Sequence, residues 1–315
     1  MKNRRFMALG DLIADCYYIE KKKVGIDGGS TRFNVIANLA NMNCQTVIVG
    51  GCGNDQVGRV MIKRLKDMGV DVSKIFLRNR KARAYHLQLD KRVLPKVSYQ
   101  CSKESPLDGE TTWYEDGLDD SQYYYSEVNE NDTVVLDMVD EMSLDVLQNV
   151  ECDKILDIGN SKRLELLQDE QIAVLENRIE ILQLNERVVP YLMKRFHCTS
   201  TLEIYKLLKP KLLIITYGKE GAEFVFGDTV YNKKLINSVK ELDPTGAGDA
   251  FLSVFAKSYY EKLKKIDKQF IDSTFEQAIL LTSTVVQHIG ARGHLYERKL
   301  DKFTQIELED DDVEL

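Results

Sequence analysis

Short apolar runs alternate with longer apolar stripes along this chain. Residues 6–9, 133–137, 154–157, 179–184 and 212–216 are continuous apolar stretches bounded by polar residues. This is the pattern of strands covered on both faces. Between the runs, residues 34–40, 61–68, 142–150 and 164–176 repeat apolar positions at helical spacing, and two longer helices are predicted over 251–259 and 275–288. Strands alternating with helices predict parallel βαβ units, with helices on both faces of a mostly parallel sheet. Residues 17–24 read as a short strand with a lysine run, which discourages edge pairing. Residues 84–89 and 94–100 alternate as a strand pair. Residues 102–120 read as a polar loop in which Trp113 is a candidate apolar anchor, and the run Tyr123-Tyr124-Tyr125 reads as packing rather than a stacking platform.

Composition narrows the function classes. With 43% hydrophobic and 30% charged residues, the 315-residue chain has the make-up of a soluble globular protein. A net charge of −7 argues against a nucleic-acid or anionic-membrane surface. The six cysteines are scattered with no C-x-x-C pair, so reduced thiols and a cytoplasmic location are expected. The histidines show no metal-ligand spacing. Asp11 interrupts the first apolar run too early for a signal peptide, and no apolar run is long enough to span a membrane.

The chemistry concentrates in Asp243-Pro244-Thr245-Gly246-Ala247-Gly248-Asp249-Ala250-Phe251. A glycine turn that opens a helix aims backbone N–H groups and the positive end of the helix dipole at one point, which suits an anion. Asp249 falls in the first turn, placed to take a proton from a hydroxyl attacking a bound phosphate. Near the other end, Asp11 and Asp15 follow the first strand. Ligands of open α/β sheets gather there, and a carboxylate can accept from two sugar hydroxyls.

The string DPTGAGDAF closely resembles the C-terminal signature of the ribokinase-like (PfkB) carbohydrate kinases. That resemblance makes Gly246, Ala247 and Gly248 the anion hole and Asp249 the catalytic base. Residues 10–15 resemble the family's first motif, which selects Asp15 as a sugar contact with Asp11 as a nearby second. The order turn, helix, strand, glycine loop, helix from Asp27 to Gly58 resembles the N-terminal signature. It places Asn34 on the sugar-contacting asparagine, while Gly50, Gly53, Asp55 and Gly58 match its second half. Counting back from Asn34, the family's glycine pair lands on Gly29-Ser30. The resemblance spans about residues 6–295. It implies one α/β domain over 1–306, with a small β lid built from segments near 16–27 and 84–113, and an acidic tail at 307–315.

On the nucleotide side, Ile-Thr-Tyr-Gly-Lys-Glu-Gly-Ala-Glu-Phe at 215–224 resembles the family's nucleotide-site turn, nominating Thr216 and Gly218, with Thr245, as ATP neighbours. Asn185 corresponds to the asparagine of the N-x-x-E motif near magnesium and phosphate. The acid of that motif is replaced by Val188. Glu186 lies two residues earlier, about 200° round a helix at roughly 100° per residue. No metal-ligating residue is singled out. The resemblance implies ATP and Mg2+, with a monovalent cation such as K+ near the anion hole, and a homodimer through the lid by analogy. The expected reaction is phosphorylation of a hydroxyl on a small sugar. The alternatives are a nucleoside kinase and a non-catalytic sugar or nucleotide sensor derived from a kinase.

Overall fold

The structure is a computed structural model that describes residues 4–19, 22–89, 97–100, 121–137, 141–159, 164–235 and 239–296. In chain order its strands are β1 (Arg5–Leu9), β2 (Ile13–Ile19), β3 (Lys22–Gly28), β4 (Gln45–Gly53), β5 (Asp71–Arg78), β6 (Arg83–Leu89), β7 (Val97–Gln100), β8 (Thr133–Asp137), β9 (Asp153–Ile158), β10 (Ile181–Asn185), β11 (Leu212–Thr216), β12 (Ala222–Phe226) and β13 (Thr229–Lys233). The helices are α1 (Thr31–Asn41), α2 (Gln56–Asp67), α3 (Ser121–Ser126), α4 (Glu141–Asn149), α5 (Asp169–Ala173), α6 (Val189–Arg195), α7 (Thr201–Leu208), α8 (Ala247–Glu261) and α9 (Lys268–Val285). The chain packs as two compact units.

The first unit comprises Met1–Leu9, Leu118–Ser238 and Phe251–Leu281. Its strands lie in the order β13-β12-β11-β10-β9-β8-β1. The pairs from β1 through β11 are parallel, and β12 and β13 close the edge antiparallel. The sequence explains the order. β8, β10 and β11 are apolar runs buried nearly end to end, whereas edge strand β13 alternates exposed Val230 and Asn232 with half-buried neighbours. Phe224 of β12 stacks on Phe255, with ring centroids 5.1 Å apart, and Phe251 lies 5.0 Å from Phe255. These contacts hold the body of the helix that begins with the glycine turn.

The second unit comprises Gly10–Gly117, Val239–Ala250 and Thr282–Leu315. It holds the parallel pair β4–β5 and a small four-stranded sheet in the order β3-β2-β6-β7. This is the ribokinase-like α/β arrangement expected from the sequence, with its small second sheet. Helix α1 is buried from Arg32 through Ala40. The side chain of Asp55 caps α2 by accepting from the Gly58 N–H at 2.9 Å, and it also accepts from the Ala82 N–H at 3.1 Å.

Several local expectations change. The single strand expected over 17–24 is two strands, β2 and β3, paired antiparallel with an irregularity at Tyr17/Tyr18. Asp27 and Gly28 therefore end a strand rather than form a turn. The helix expected over 164–176 breaks into a 3-10 turn, Leu164–Leu166, and the short α5. β4 extends through Gly53 into the expected loop. Tyr124 is fully buried in α3, and the Tyr125 hydroxyl donates to Asp145, so both pack. Trp113 and the acidic tail lie outside the described residues.

Candidate functional site

Asp243 organises the glycine turn. It is 1% exposed, and its two oxygens accept from the Thr245 N–H and the Gly290 N–H, each at 2.9 Å. One carboxylate thus ties the turn before α8 to the loop after α9. Gly246 has φ +82, and a Cβ there would lie 2.5 Å from the Ala291 Cα, so only glycine fits. The Ala247 N–H closes back on the Pro244 carbonyl at 3.1 Å, and the Ala250 N–H bonds the Gly246 carbonyl at 2.9 Å, starting the helix. Gly248 lies between them, and Asp249 is the third residue of α8. Of the three amides expected in an anion hole, that of Ala247 is therefore engaged within its own turn.

Asp249 is buried, and its Oδ2 accepts from the Asn34 Nδ2 at 2.7 Å. The two residues are 215 positions apart, and both belong to the second unit. Asn34 is held in turn. Its Oδ1 accepts from the Arg292 Nε at 2.9 Å, and its backbone carbonyl accepts from the Asn38 Nδ2 at 2.9 Å. The Asn38 Oδ1 meets the His294 Nε2 at 2.9 Å. Burial pushes the His294 imidazole down to about 4, so it is neutral near pH 7 and donates from Nε2.

Asp15 lies within β2 rather than in a loop, directly opposite Asp27 of β3. Side chains directly opposite on antiparallel strands share a face, where like charges repel. Both are buried, at 6% and 0% exposure. Among the described residues, the Asp15 carboxylate makes no hydrogen bond or ion pair. Its acidity follows from this setting. Burial, the largest cause, pushes it up to about 7; Asp27 adds to the rise, Arg292 opposes it, and Asp249 and Asp243 add the remainder.

The glycine pair supports these side chains. A Cβ on Gly29 would lie 2.5 Å from the Asp15 Oδ1, and one on Gly28 would lie 1.8 Å from the Arg292 Nη1. Ser30, the next residue, has φ 69 and ψ 131, a backbone state strained for a residue with a Cβ. Asp11 is differently placed. Its Oδ1 accepts from the Gly51 N–H at 3.0 Å and from the Arg78 Nη2 at 3.1 Å, and its Oδ2 accepts from the Arg80 Nη2 at 2.8 Å. It braces the ends of β4 and β5 and the loop after β5.

In the first unit, Asn185 and Thr216 are register partners at the carboxyl ends of β10 and β11. The Asn185 Oδ1 accepts from the Arg187 N–H at 3.0 Å, and the Thr216 hydroxyl donates to the Leu184 carbonyl at 3.4 Å. Gly218 opens a 3-10 turn at φ +54. Val188 is fully buried while Glu186 is exposed, so the acid does not stand in for the valine. Asp157 of β9 lies between Asp137 and Gln183 in register, and the Gln183 Nε2 donates to its Oδ1 at 2.9 Å. Among the described residues, no three His, Cys, Asp or Glu side chains gather as a metal site.

Sequence reasoning missed Arg292, Asp27 and the Asp137–Asp157–Gln183 row. The spacing of Asp15 and Asp27 across a hairpin was the available signal for one of them. Arg292 had none, since a contact 258 positions away leaves no local pattern.

The family model described as "pfkB family carbohydrate kinase" matches residues 7–297. An uncharacterized sugar kinase of Pyrococcus horikoshii is 25% identical over 280 residues, spanning 82% of this chain and 84% of its own. The structure of a nucleoside kinase from Methanocaldococcus jannaschii matches with a TM-score of 0.69 at 17% identity, over 92% of this chain and 94% of that one. A double mutant of fructokinase from Vibrio cholerae, solved with fructose, ADP and potassium ion bound, matches with a TM-score of 0.66 at 16% identity, over 92% and 94%.

Proposed function

This chain belongs to the pfkB family of carbohydrate kinases, and we propose that it transfers the γ-phosphoryl group of ATP to a hydroxyl of a small sugar, with Asp249 as the general base. The observation that carries this reading is the 2.7 Å bond between Asn34 and Asp249, which sets the base beside an acceptor-side residue. Asp15 is a buried carboxylate with open acceptor capacity. It would hold acceptor hydroxyls, and Asn34 would orient both the acceptor and the base. The turn Gly246 to Gly248 would face the transferring phosphoryl group at the start of α8, where the helix dipole favours negative charge. Asn185, Thr216, Gly218 and Thr245 would contact ATP, and Asp11 would act on the acceptor indirectly by holding the ends of β4 and β5 together. ATP brings the phosphoryl group and its own Mg2+; the chain positions, desolvates and removes the proton.

The matched nucleoside kinase supports one second reading, a nucleoside as the acceptor. An ATP-consumption screen across sugars, sugar phosphates and nucleosides separates the two. The Asp249→Asn variant, run beside it, should lose about 1,000-fold in turnover of whichever acceptor is used. Equal rates in the two proteins would remove Asp249 from the role of base.

A further inference from the structure

Arg292 is a cation sunk entirely into the second unit. It is 1% exposed, and its guanidinium lies on the backbone of Gly28 in the space a side chain would otherwise fill. Its Nε donates to the Asn34 Oδ1, while its Nη2 has no hydrogen-bond partner among the described residues. Burying a charge so sparsely bonded is costly unless surrounding charge offsets it. Asp15 lies within its electrostatic reach, and Asp27, Asp243 and Asp249 act on that same carboxylate.

The bond to Asn34 has a direction. A guanidinium has donors and no acceptor, so it can meet only the carbonyl end of an amide. With that end engaged, the amide's NH2 end points to Asp249. An asparagine without this constraint can turn over and present its carbonyl oxygen to a carboxylate, an orientation that repels.

Resting on the kinase reading above, we propose that Arg292 is a positioning residue: it locks the Asn34 amide in one orientation, so that Asn34 donates to Asp249 and holds the base in line with the acceptor hydroxyl. Arg292 does not touch substrate. It acts through Asn34 and through its charge beside Asp15.

The test compares wild-type protein with Arg292→Lys, Arg292→Gln and Gly28→Ala. Arg292→Gln can offer either end of its own amide and so removes the directional constraint. Gly28→Ala pushes the guanidinium aside, since a Cβ there would lie 1.8 Å from its Nη1, without removing its charge. Both should lower kcat about 100-fold, the scale of a small misplacement of reacting groups, with KM for ATP little changed. Arg292→Lys keeps a donor-only cation and should recover part of that loss. In Arg292→Gln alone, the rise in acceptor KM on acidification should move up by about one pH unit, because the cation that holds the Asp15 carboxyl down against Asp27, Asp243 and Asp249 is gone. Crystal structures of Arg292→Gln and Gly28→Ala should both show the Asn34–Asp249 bond broken. If that bond persists and kcat stays within threefold or so of wild type, the positioning role is overturned. If wild-type protein phosphorylates no acceptor, the kinase reading fails, and the crystal structures still decide whether Arg292 orients Asn34.

Discussion

The two units carry their polar groups in contrasting ways. In the second unit, Asp15, Asp27, Asn34, Asp243, Asp249 and Arg292 come from two strands, two helices and two loops, and all are buried. Each is fixed by hydrogen bonds or close packing before any ligand arrives. In the first unit, Asn185, Thr216 and Gly218 sit at strand ends and a turn, where Asn185 bonds the backbone two residues on and Thr216 bonds the adjacent strand. One side is preorganised and electrostatically loaded, while the other is built from strand ends and a turn. The contrast fits a kinase in which proton removal and acceptor orientation depend on the protein, and the nucleotide brings its own charge and metal.

The largest effect should come from Asp15→Asn. Loss of a buried carboxylate that would accept acceptor hydroxyls should reduce acceptor kcat/KM by about 1,000-fold, through KM. The same change should stabilise the fold. The folded carboxyl titrates at about 7, above the usual 3.8, so folding takes up a proton between those values and stability falls as pH rises through that window. Melting temperatures of the two proteins should coincide near pH 4, and the variant should gain about 2–4 kcal/mol by about pH 8. A variant no more stable than wild type at the higher pH would mean that Asp15 is not strained by burial.

Next in size is Val188→Glu, which writes the missing acid back into the N-x-x-E pattern. Because Val188 is fully buried, the new charge should cost about 3 kcal/mol or more and should not raise turnover. A denaturant melt and a rate measurement check this; a stable variant with higher kcat would erase the contrast between the units. Ser30→Gly should follow with a gain of about 1 kcal/mol, by releasing the strained backbone at φ 69, and a chemical melt reads it directly. The smallest change belongs to Glu186→Gln. That side chain is exposed, so kcat and the KM for ATP should stay within about twofold.

The legible parts of the fold were those written in local pattern. Apolar runs marked β8, β10 and β11 because both faces of those strands are covered, and the glycine turn before α8 was plain from its residues. The helix over 164–176 was misread because an apolar stripe does not reveal where a chain turns. Here residues 164–166 close a 3-10 turn, and the Gln168–Gln171 exchange starts a separate short helix. At the candidate site, Asp249, Asn34 and Asp15 were visible through motif resemblance. Their electrostatic setting was not. Asp27 acts on Asp15 through strand register, Arg292 reaches Asn34 across most of the chain, and Ser30 shows its strain only in its backbone angles. Such features arise from tertiary contact, which hydrophobic spacing does not encode.

The most direct measurement is mass-spectrometric detection of phosphorylated acceptor formed from ATP by wild-type protein and by Asp249→Asn, across a panel of sugars and nucleosides. Wild-type protein should convert at least one acceptor to its phosphate, and Asp249→Asn should form about 1,000-fold less of the same product while melting at the same temperature. Binding of ATP and an acceptor with no phosphorylated product from either protein would contradict it.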